Sequence, residues 1–364
     1  MTDVASFLKS IILNGGPIPV SEFARLALSG RPDSYYLRHD PLGSGGDFVT
    51  APELSQVFGE CVGIWCIDLW VKLGSPSRLR LVELGPGRGT LMSDVLRTAR
   101  IRPAFLNALA ISLVDINPVL RKQQMDLLSS MAPASIEWHR QFEDIELDSP
   151  TIIIANEFFD ALPARQFVRT EFGWSERVVG LGPDGELAFG AAATSDFTHM
   201  ISPALRHAQP GTIHEFCPYG ANLADTIGKA LEAQRGGVLV IDYGYQGPAT
   251  GDTLQALKSH AFSDVLKDIG NSDMTFHVDF EVLSRTLRRS GVNVCPLVEQ
   301  GAFLKALGAA ERTRELQRRA SPAQCQQLEN ALHRLTSTET MGTLFKVLCA
   351  VAPPTIVPLG VQTA

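Results

Sequence analysis

The chain has 364 residues, of which 45% are hydrophobic and 20% charged, with a formal net charge of −7. This composition is typical of a globular protein with a large core, and the length corresponds to roughly two domains of ~150 residues. No block of lysine and arginine stands out, which disfavours nucleic-acid binding through a basic patch. No apolar run approaches the ~20 residues that span a bilayer, so no membrane span is predicted.

The first 77 residues are predicted to be mainly helical. Residues 4–13 and 19–30 have the apolar spacing of helices, a glycine-rich loop follows, and residues 53–74 read as one long apolar helix. The N-terminal stretch shows neither the cleavage pattern of a signal peptide nor the arginine-rich composition of a transit peptide. We therefore expect a cytoplasmic protein.

From residue 78 onwards, strands and helices alternate. This rhythm predicts an α/β fold with a parallel sheet that is covered by helices on both faces. Three segments interrupt it and are predicted insertions: 165–215 as a β-hairpin or meander, 246–277 without clear periodicity, and 309–335 as a helical surface segment. The predicted strands are 79–87, 108–117, 135–142, 151–159, 236–245, 292–300 and 343–353.

A glycine turn, "LVELGPGRGT", follows the first predicted strand. Gly85, Gly87 and Gly89 stand at alternate positions before a helix. Glycine is needed where the backbone takes a positive φ or where a ligand approaches too closely for a Cβ. The third glycine comes one residue too early for a dinucleotide fingerprint, which argues against an NAD-dependent enzyme. With Glu83 two residues ahead, the pattern resembles the first motif of class I S-adenosylmethionine methyltransferases, although a purely structural turn is an alternative.

Acids also follow the next strands. Glu83 suits the ammonium of a methionine moiety, and Asp115 could accept ribose hydroxyls or cap the following helix. Phe142 and Glu143 follow the third strand and could surround an adenine or form a plain turn. Ligands in doubly wound sheets lie at the carboxyl ends of the strands, where all these side chains are expected. Together they predict a cofactor site.

The fourth predicted strand ends in "IIIANEFFDALP". Asn156, Glu157, Phe158, Phe159 and Asp160 follow a run of aliphatic residues. A charged residue directly after a buried strand costs free energy unless it is paired, so Glu157 is a strong candidate for a functional role. Core packing is the alternative for the two rings, and an N-cap of the next turn is the alternative for Asp160.

Five stretches resemble the MidA-like methyltransferases: "GDFVTAPELSQVFGECVGIW", "VELGPGRGTLMSDVLR", "NEFFDALP", "HVDF" and "MGTLFKVL". The resemblance covers about residues 10 to 350. It implies a class I methyltransferase with a Rossmann-like seven-stranded sheet and S-adenosylmethionine as cofactor. It also implies an N-terminal helical section over 1–77, in which "GDFVTAPE" closes over the cofactor through Thr50 and Pro52, and a methyltransferase domain over 78–364.

The same family includes relatives of a mitochondrial complex I assembly factor that symmetrically dimethylates an arginine. The resemblance therefore implies a protein-arginine N-methyltransferase whose partner protein could be a complex I subunit, and the missing transit sequence favours a bacterial member. Carboxylates can hold the planar guanidinium fork, so Glu157, Asp160 and Asn156 are the predicted catalytic residues. Weaker candidates are Asp279 and Glu53 as acids and His139 and His277 as bases.

Two other functions stay open at this point. One is a methyltransferase that acts on a small molecule or another nucleophile, and the other is a non-catalytic cofactor-binding assembly factor. The six cysteines form no CxxC pair, and no other metal-ligand spacing stands out, so no metal is predicted. The sequence does not predict the oligomeric state.

Overall fold

A computed structural model describes residues 3–38, 49–131, 135–192 and 200–361. The chain divides into two compact units. The first unit comprises Met1–Phe48, Asp160–Asn222 and Tyr245–Val282, and the second, which we call the sheet unit, comprises Val49–Phe159, Leu223–Gly244 and Leu283–Ala364. The predicted division into an N-terminal helical section over 1–77 and a methyltransferase domain over 78–364 stays a prediction.

Seven strands form the continuous path of the main sheet: β1 Leu79–Leu84, β2 Leu109–Val114, β3 Ile136–His139, β4 Thr151–Asn156, β5 Gly236–Tyr245, β6 Asn293–Val294 and β7 Phe345–Ala352. Their order in the sheet is β3–β2–β1–β4–β5–β7–β6. Strands β1 to β5 run parallel in this order, whereas β7 is antiparallel to both β5 and β6. The predicted seven-stranded α/β sheet is therefore confirmed.

The central strands are apolar because both faces of the sheet are covered. All six residues of β1 and all six of β4 are buried. Parallel strands buried on both faces read as continuous aliphatic runs, which is why "TIIIA" predicts a strand without alternation. Because β1 to β5 run parallel, their carboxyl ends lie at one edge of the sheet.

Two predicted elements are divided in the structure. The helix predicted over 53–74 is two helices, Ala51–Leu54 and Gln56–Lys72, because Ser55 is extended at φ −163° and its side chain caps the second helix by accepting from Val57 N at 3.2 Å. The strand predicted over 292–300 is interrupted by Pro296, which has no N–H for a ladder. Within this segment, β6 and Val298–Glu299 are the parts that pair with β7.

Helices and short turns complete the chain. Within the described residues, no helix is long and apolar enough to cross a membrane. The α-helices are Val4–Gly15, Val20–Leu28, Tyr35–Arg38, Ala51–Leu54, Gln56–Lys72, Thr90–Ala99, Pro103–Ala108, Pro118–Leu128, Pro218–Gln234, Phe280–Arg289, Gln300–Ala306, Ala309–Gln317, Pro322–Thr336 and Met341–Leu344, with 3-10 turns at Phe142–Asp144 and Pro203–Leu205.

The first unit contains two small antiparallel sheets. One has the strand order Ile18–Pro19, Gly173–Leu181, Arg165–Thr170 and Ile213–Phe216, with Leu187–Ala191 also pairing with Gly173–Leu181. This agrees with the meander predicted within 165–215. In the other sheet, Gln255–Lys258 pairs with both Ala261–Ser263 and Asp273–Thr275. These strands have only three or four residues, too few for the sequence of 246–277 to show a period.

Candidate functional site

The candidate site lies at the carboxyl edge of the main sheet. Glu83 of β1 stands opposite Leu113 of β2 and Ile154 of β4, and Asn156 of β4 stands opposite Ile241 of β5. Parallel pairing therefore brings Glu83, Asp115, Asn156, Glu157 and Asp242 to the same edge. Doubly wound sheets bind ligands at this edge.

The glycine turn after β1 has the backbone that only glycine adopts without strain. Gly85, Gly87 and Gly89 have φ values of +64°, +54° and +86°. A Cβ at Gly85 would lie 2.9 Å from Phe158 Cδ2, so the ring packs directly over this glycine. The turn thus has a structural need for glycine, and it also leaves the open backbone that a cofactor requires. The cofactor role predicted for the three glycines stays a prediction.

Glu83 is a buried carboxyl that fits a cation. Only 2% of the residue is exposed, and its Oε2 has no hydrogen-bond partner in the described part of the chain. Burial, followed by repulsion from Asp115, raises the pKa of Glu83 to about 8. A buried polar atom without a partner is costly. An ammonium group placed there would satisfy the oxygen and favour the ionised form.

Asp115 is oriented by the protein at both oxygens. Its Oδ1 accepts from Asn117 N at 2.8 Å, and its Oδ2 accepts from Gln124 Nε2 at 2.7 Å. Burial raises the pKa of Asp115 to about 6, although these hydrogen bonds act in the opposite direction. The helix after β2 is capped by Asn117, whose Oδ1 accepts from Val119 N at 2.8 Å. The helix-cap role considered for Asp115 is therefore filled by Asn117.

Glu157 has a backbone conformation that is uncommon for a residue with a side chain. Its φ is +49°, and its N–H donates to the Ile241 carbonyl at 2.9 Å. Its Oε1 accepts from Ala51 N at 2.9 Å and from Asn156 Nδ2 at 3.2 Å. Such strain concentrates at functional sites and persists where the surroundings enforce it. Asn156 is 7% exposed, and its Oδ1 has no hydrogen-bond partner among the described residues.

Asp242 on β5 holds the turn that follows β4, and the sequence interpretation missed it. The residue is fully buried, its Oδ2 accepts from Phe158 N at 3.2 Å and Phe159 N at 3.0 Å, and its Oδ1 accepts from Tyr243 N at 2.9 Å. Three N–H groups thus converge on one carboxylate. The sequence feature that could have identified Asp242 is an acid toward the carboxyl end of a buried strand, as at Glu83.

The two rings of the turn have different surroundings. Their centroids lie 5.6 Å apart with an interplanar angle of 87°, an edge-to-face pair. Phe159 is 5% exposed and belongs to the buried core, as the packing alternative predicts. Phe158 is half-buried and covers Gly85, so it joins the glycine turn to the turn after β4.

The short helix Ala51–Leu54 is tied to both turns of the site. Its residue Glu53 accepts from Thr90 Oγ1 at 2.5 Å and lies 3.7 Å from Arg88 Nη1. Its first N–H, at Ala51, donates to Glu157. Glu53, a weaker candidate from the sequence, thus holds this helix at the start of the helix that follows the glycine turn.

Three further predicted cofactor contacts differ in exposure. Thr50 is half-buried and precedes the short helix, Pro52 is buried within it, and Glu143 is exposed in a 3-10 turn. Phe142 beside it is buried at 3% exposure. Residues 46–48 of the predicted lid lie outside the described residues. Contact of Thr50, Pro52 and Glu143 with the cofactor stays a prediction.

Asp160 belongs to the first unit. It is buried at 6% exposure in a turn that starts no helix. Its carbonyl accepts from Phe276 N at 2.9 Å. Nearby, Tyr36 donates its hydroxyl to Asp273 Oδ1 at 2.6 Å, and burial together with the charges of Asp273 and Asp160 raises the pKa of Tyr36 well above its ordinary value. The catalytic role of Asp160 stays a prediction.

The remaining weaker candidates from the sequence are Asp279, His277 and His139. Asp279 caps the helix Phe280–Arg289, since its Oδ1 accepts from Glu281 N at 3.0 Å. Burial lowers the pKa of His277. His139 Nε2 lies 3.7 Å from a carboxylate oxygen of Glu137.

The strand order, the glycine turn after β1 and the acids at the ends of β1 and β2 define a class I S-adenosylmethionine-dependent methyltransferase. Residues 61–298 match the sequence profile of a family described as "Putative S-adenosyl-L-methionine-dependent methyltransferase". The chain belongs to this family, which confirms both the resemblance found in its motifs and the predicted cofactor.

Named relatives agree with this assignment, and a solved structure shares the fold. The mitochondrial protein arginine methyltransferase NDUFAF7 of Danio rerio is 34% identical over 366 residues, which cover 94% of this chain and 85% of the relative. Its Homo sapiens counterpart is 32% identical, with coverage of 95% and 82%. A Burkholderia thailandensis protein bound to S-adenosyl-homocysteine shares the fold with a TM-score of 0.81, at 24% identity and coverage of 99% and 92%.

Proposed function

We propose that this methyltransferase transfers the methyl group of S-adenosylmethionine to a guanidinium nitrogen of an arginine in a partner protein. The relatives that support this acceptor are named protein arginine methyltransferases and match over more than nine-tenths of the chain. The observation that carries the proposal is Glu157, a carboxylate held in a left-handed backbone at the carboxyl edge of the sheet.

The cofactor is proposed to lie along the ends of β1 and β2. Glu83 would accept from its ammonium, Asp115 would accept from its ribose hydroxyls, and Gly85 and Gly87 would let it approach the backbone. When bound, S-adenosylmethionine supplies an electrophilic methyl group on a sulfonium. The protein's contribution to transfer is then mainly to position a nucleophile in line with that group.

Arginine is a demanding acceptor because its guanidinium carries a charge with a pKa above ~12. A carboxylate can hold the planar fork through two N–H groups and localise the charge away from the reacting nitrogen. We assign this role to Glu157, with Asn156 Oδ1 as a further acceptor for a guanidinium N–H. The nitrogen that gains the methyl must also lose a proton, and the Glu157 carboxylate is the proposed base.

Three finer parts of the proposal rest on the family resemblance or on the N-terminal sequence. A respiratory complex I subunit is the proposed partner, and symmetric dimethylation is the proposed product. The cytoplasmic compartment expected from the N-terminal sequence stays a prediction, and the relatives described above are named as mitochondrial.

The test compares the wild type with Glu157→Gln, using labelled S-adenosylmethionine and a lysate from a strain that lacks this protein. Losing charge-assisted hydrogen bonds worth ~3 kcal/mol should lower protein-bound label about 100-fold, while cofactor affinity stays within about 3-fold. Glu146→Gln removes an exposed carboxylate and should transfer normally. Label confined to small molecules would favour the alternative acceptor, and unchanged transfer by Glu157→Gln would refute the role of this residue.

A further inference from the structure

Gln124 is a buried amide that joins three parts of the cofactor edge. It lies on the helix Pro118–Leu128 and is fully buried. Its Nε2 donates to the Gly87 carbonyl at 2.7 Å and to Asp115 Oδ2 at 2.7 Å, and its Oε1 accepts from Trp138 Nε1 at 3.0 Å. One uncharged side chain thus connects the glycine turn after β1, the acid after β2 and strand β3.

The three partners determine which way the amide points. The Nε2 atom of Gln124 has two hydrogens, both used on acceptors, and its Oε1 meets an indole N–H that can only donate. A reversed amide would set its oxygen against two acceptors and its NH2 group against a donor. All three hydrogen bonds would then be lost in a buried place, which is costly.

We propose that Gln124 is the positioning residue that holds Asp115 and the Gly87 turn in the arrangement that binds S-adenosylmethionine. The inference rests on the cofactor site proposed above. Asn117 N fixes one oxygen of Asp115 and Gln124 fixes the other, so the plane of the carboxylate is set. A carboxylate offers about four lone-pair sites, and the remaining ones then point in fixed directions toward the ribose.

Gln124→Glu tests this at nearly constant side-chain size. An ionised glutamate donates no hydrogen bond and would repel Asp115, so the dissociation constant for S-adenosylmethionine should rise about 30-fold over wild type at about pH 8. At about pH 5.5 one shared proton restores a donor, and the ratio of variant to wild-type constants should fall at least about 5-fold. Glu83 and Arg121 also act on Asp115, but they are present in both proteins, so the ratio isolates residue 124.

Two variants serve as comparisons. Gln124→Leu removes all three hydrogen bonds without adding charge, so its affinity should be weakened by a similar factor at both pH values. Gln123→Glu makes the same charge change one residue earlier, where the side chain is only half-buried. The ratio of its dissociation constant for S-adenosylmethionine to that of the wild type should stay within about 3-fold of one. Affinity is measured by calorimetry on the full chain, and thermal unfolding without ligand is recorded for each variant.

The outcomes separate the inference from the site on which it rests. If the wild type does not bind S-adenosylmethionine, the proposed cofactor site fails. If the wild type binds but the Gln124→Glu ratio is near one, or equal at both pH values, the positioning role is refuted. Lower thermal stability with unchanged affinity refutes it as well. Should Gln124→Glu not fold, Trp138→Phe removes the indole donor to Oε1 and keeps an aromatic ring at this half-buried position. An affinity loss of about 3-fold is expected, whereas unchanged affinity refutes the role.

Discussion

Glu83→Gln replaces a buried titratable carboxyl with a neutral amide of the same size. Burial and repulsion from Asp115 raise the pKa of Glu83 from an ordinary 4.5 to about 8. Between these values the folded protein keeps a proton that the unfolded chain releases, so the stability due to the neutral carboxyl is present below about pH 4.5 and is lost as the pH rises toward about 8. At about 1.4 kcal/mol per pH unit, the wild type should lose on the order of 3 kcal/mol relative to Glu83→Gln between about pH 5 and pH 7.5.

The assay is urea unfolding, followed by tryptophan fluorescence at a series of pH values. Glu146→Gln is the control, because it makes the same carboxyl-to-amide change at an exposed position. Calorimetry should show that Glu83→Gln also weakens S-adenosylmethionine binding about 10- to 100-fold, since an amide does not pair with an ammonium as a carboxylate does. Parallel stability curves for wild type and variant, together with unchanged affinity, would contradict both the raised pKa of Glu83 and its contact with the cofactor.

Three further predictions concern the same edge. Gly85→Ala should lower the free energy of unfolding in urea by about 2 kcal/mol more than Gly308→Ala does. Both positions have a positive φ, but only at Gly85 would the new Cβ collide with Phe158, and equal losses would contradict this. Asp242→Asn should lower stability by about 2 kcal/mol and also slow methyl transfer, because an amide oxygen cannot accept from all three N–H groups; normal transfer by the folded variant would count against it. Cofactor binding at about pH 7 should release a proton from Glu83. The calorimetric binding enthalpy should therefore vary with the ionisation enthalpy of the buffer, and an enthalpy that is the same in all buffers would contradict this.

The sheet could be predicted because the features that determine its strands lie in short local stretches of the sequence. The residues 152–155 are aliphatic without alternation since both faces of a parallel strand are covered, and the acid at Asp115 and the glycines from Gly85 mark where strands end. The edge of the site follows from these strand ends. Short strands such as Ala261–Ser263 could not be predicted, because three residues do not establish a period.

The contacts that organise the site could not be predicted from the sequence because they are long-range. Glu157 accepts from Ala51, which precedes it by 106 residues, and no local pattern indicates that pair. Gln124 and Gln123 are adjacent and chemically identical, yet only Gln124 is buried among Gly87 and Asp115. Tertiary packing alone distinguishes such residues. Asp242 is different, since its position at the end of β5 was available in the sequence.

The proposed function places the transferred methyl group on an arginine of a protein. The most direct measurement is chromatography of an acid hydrolysate of proteins labelled by the purified wild type in a lysate that lacks this enzyme. The proposed function predicts label that co-elutes with methylated arginine and is absent with Gly87→Val, whose side chain cannot occupy the turn at φ +54° without strain. Label on another residue, or equal labelling by Gly87→Val, would contradict it.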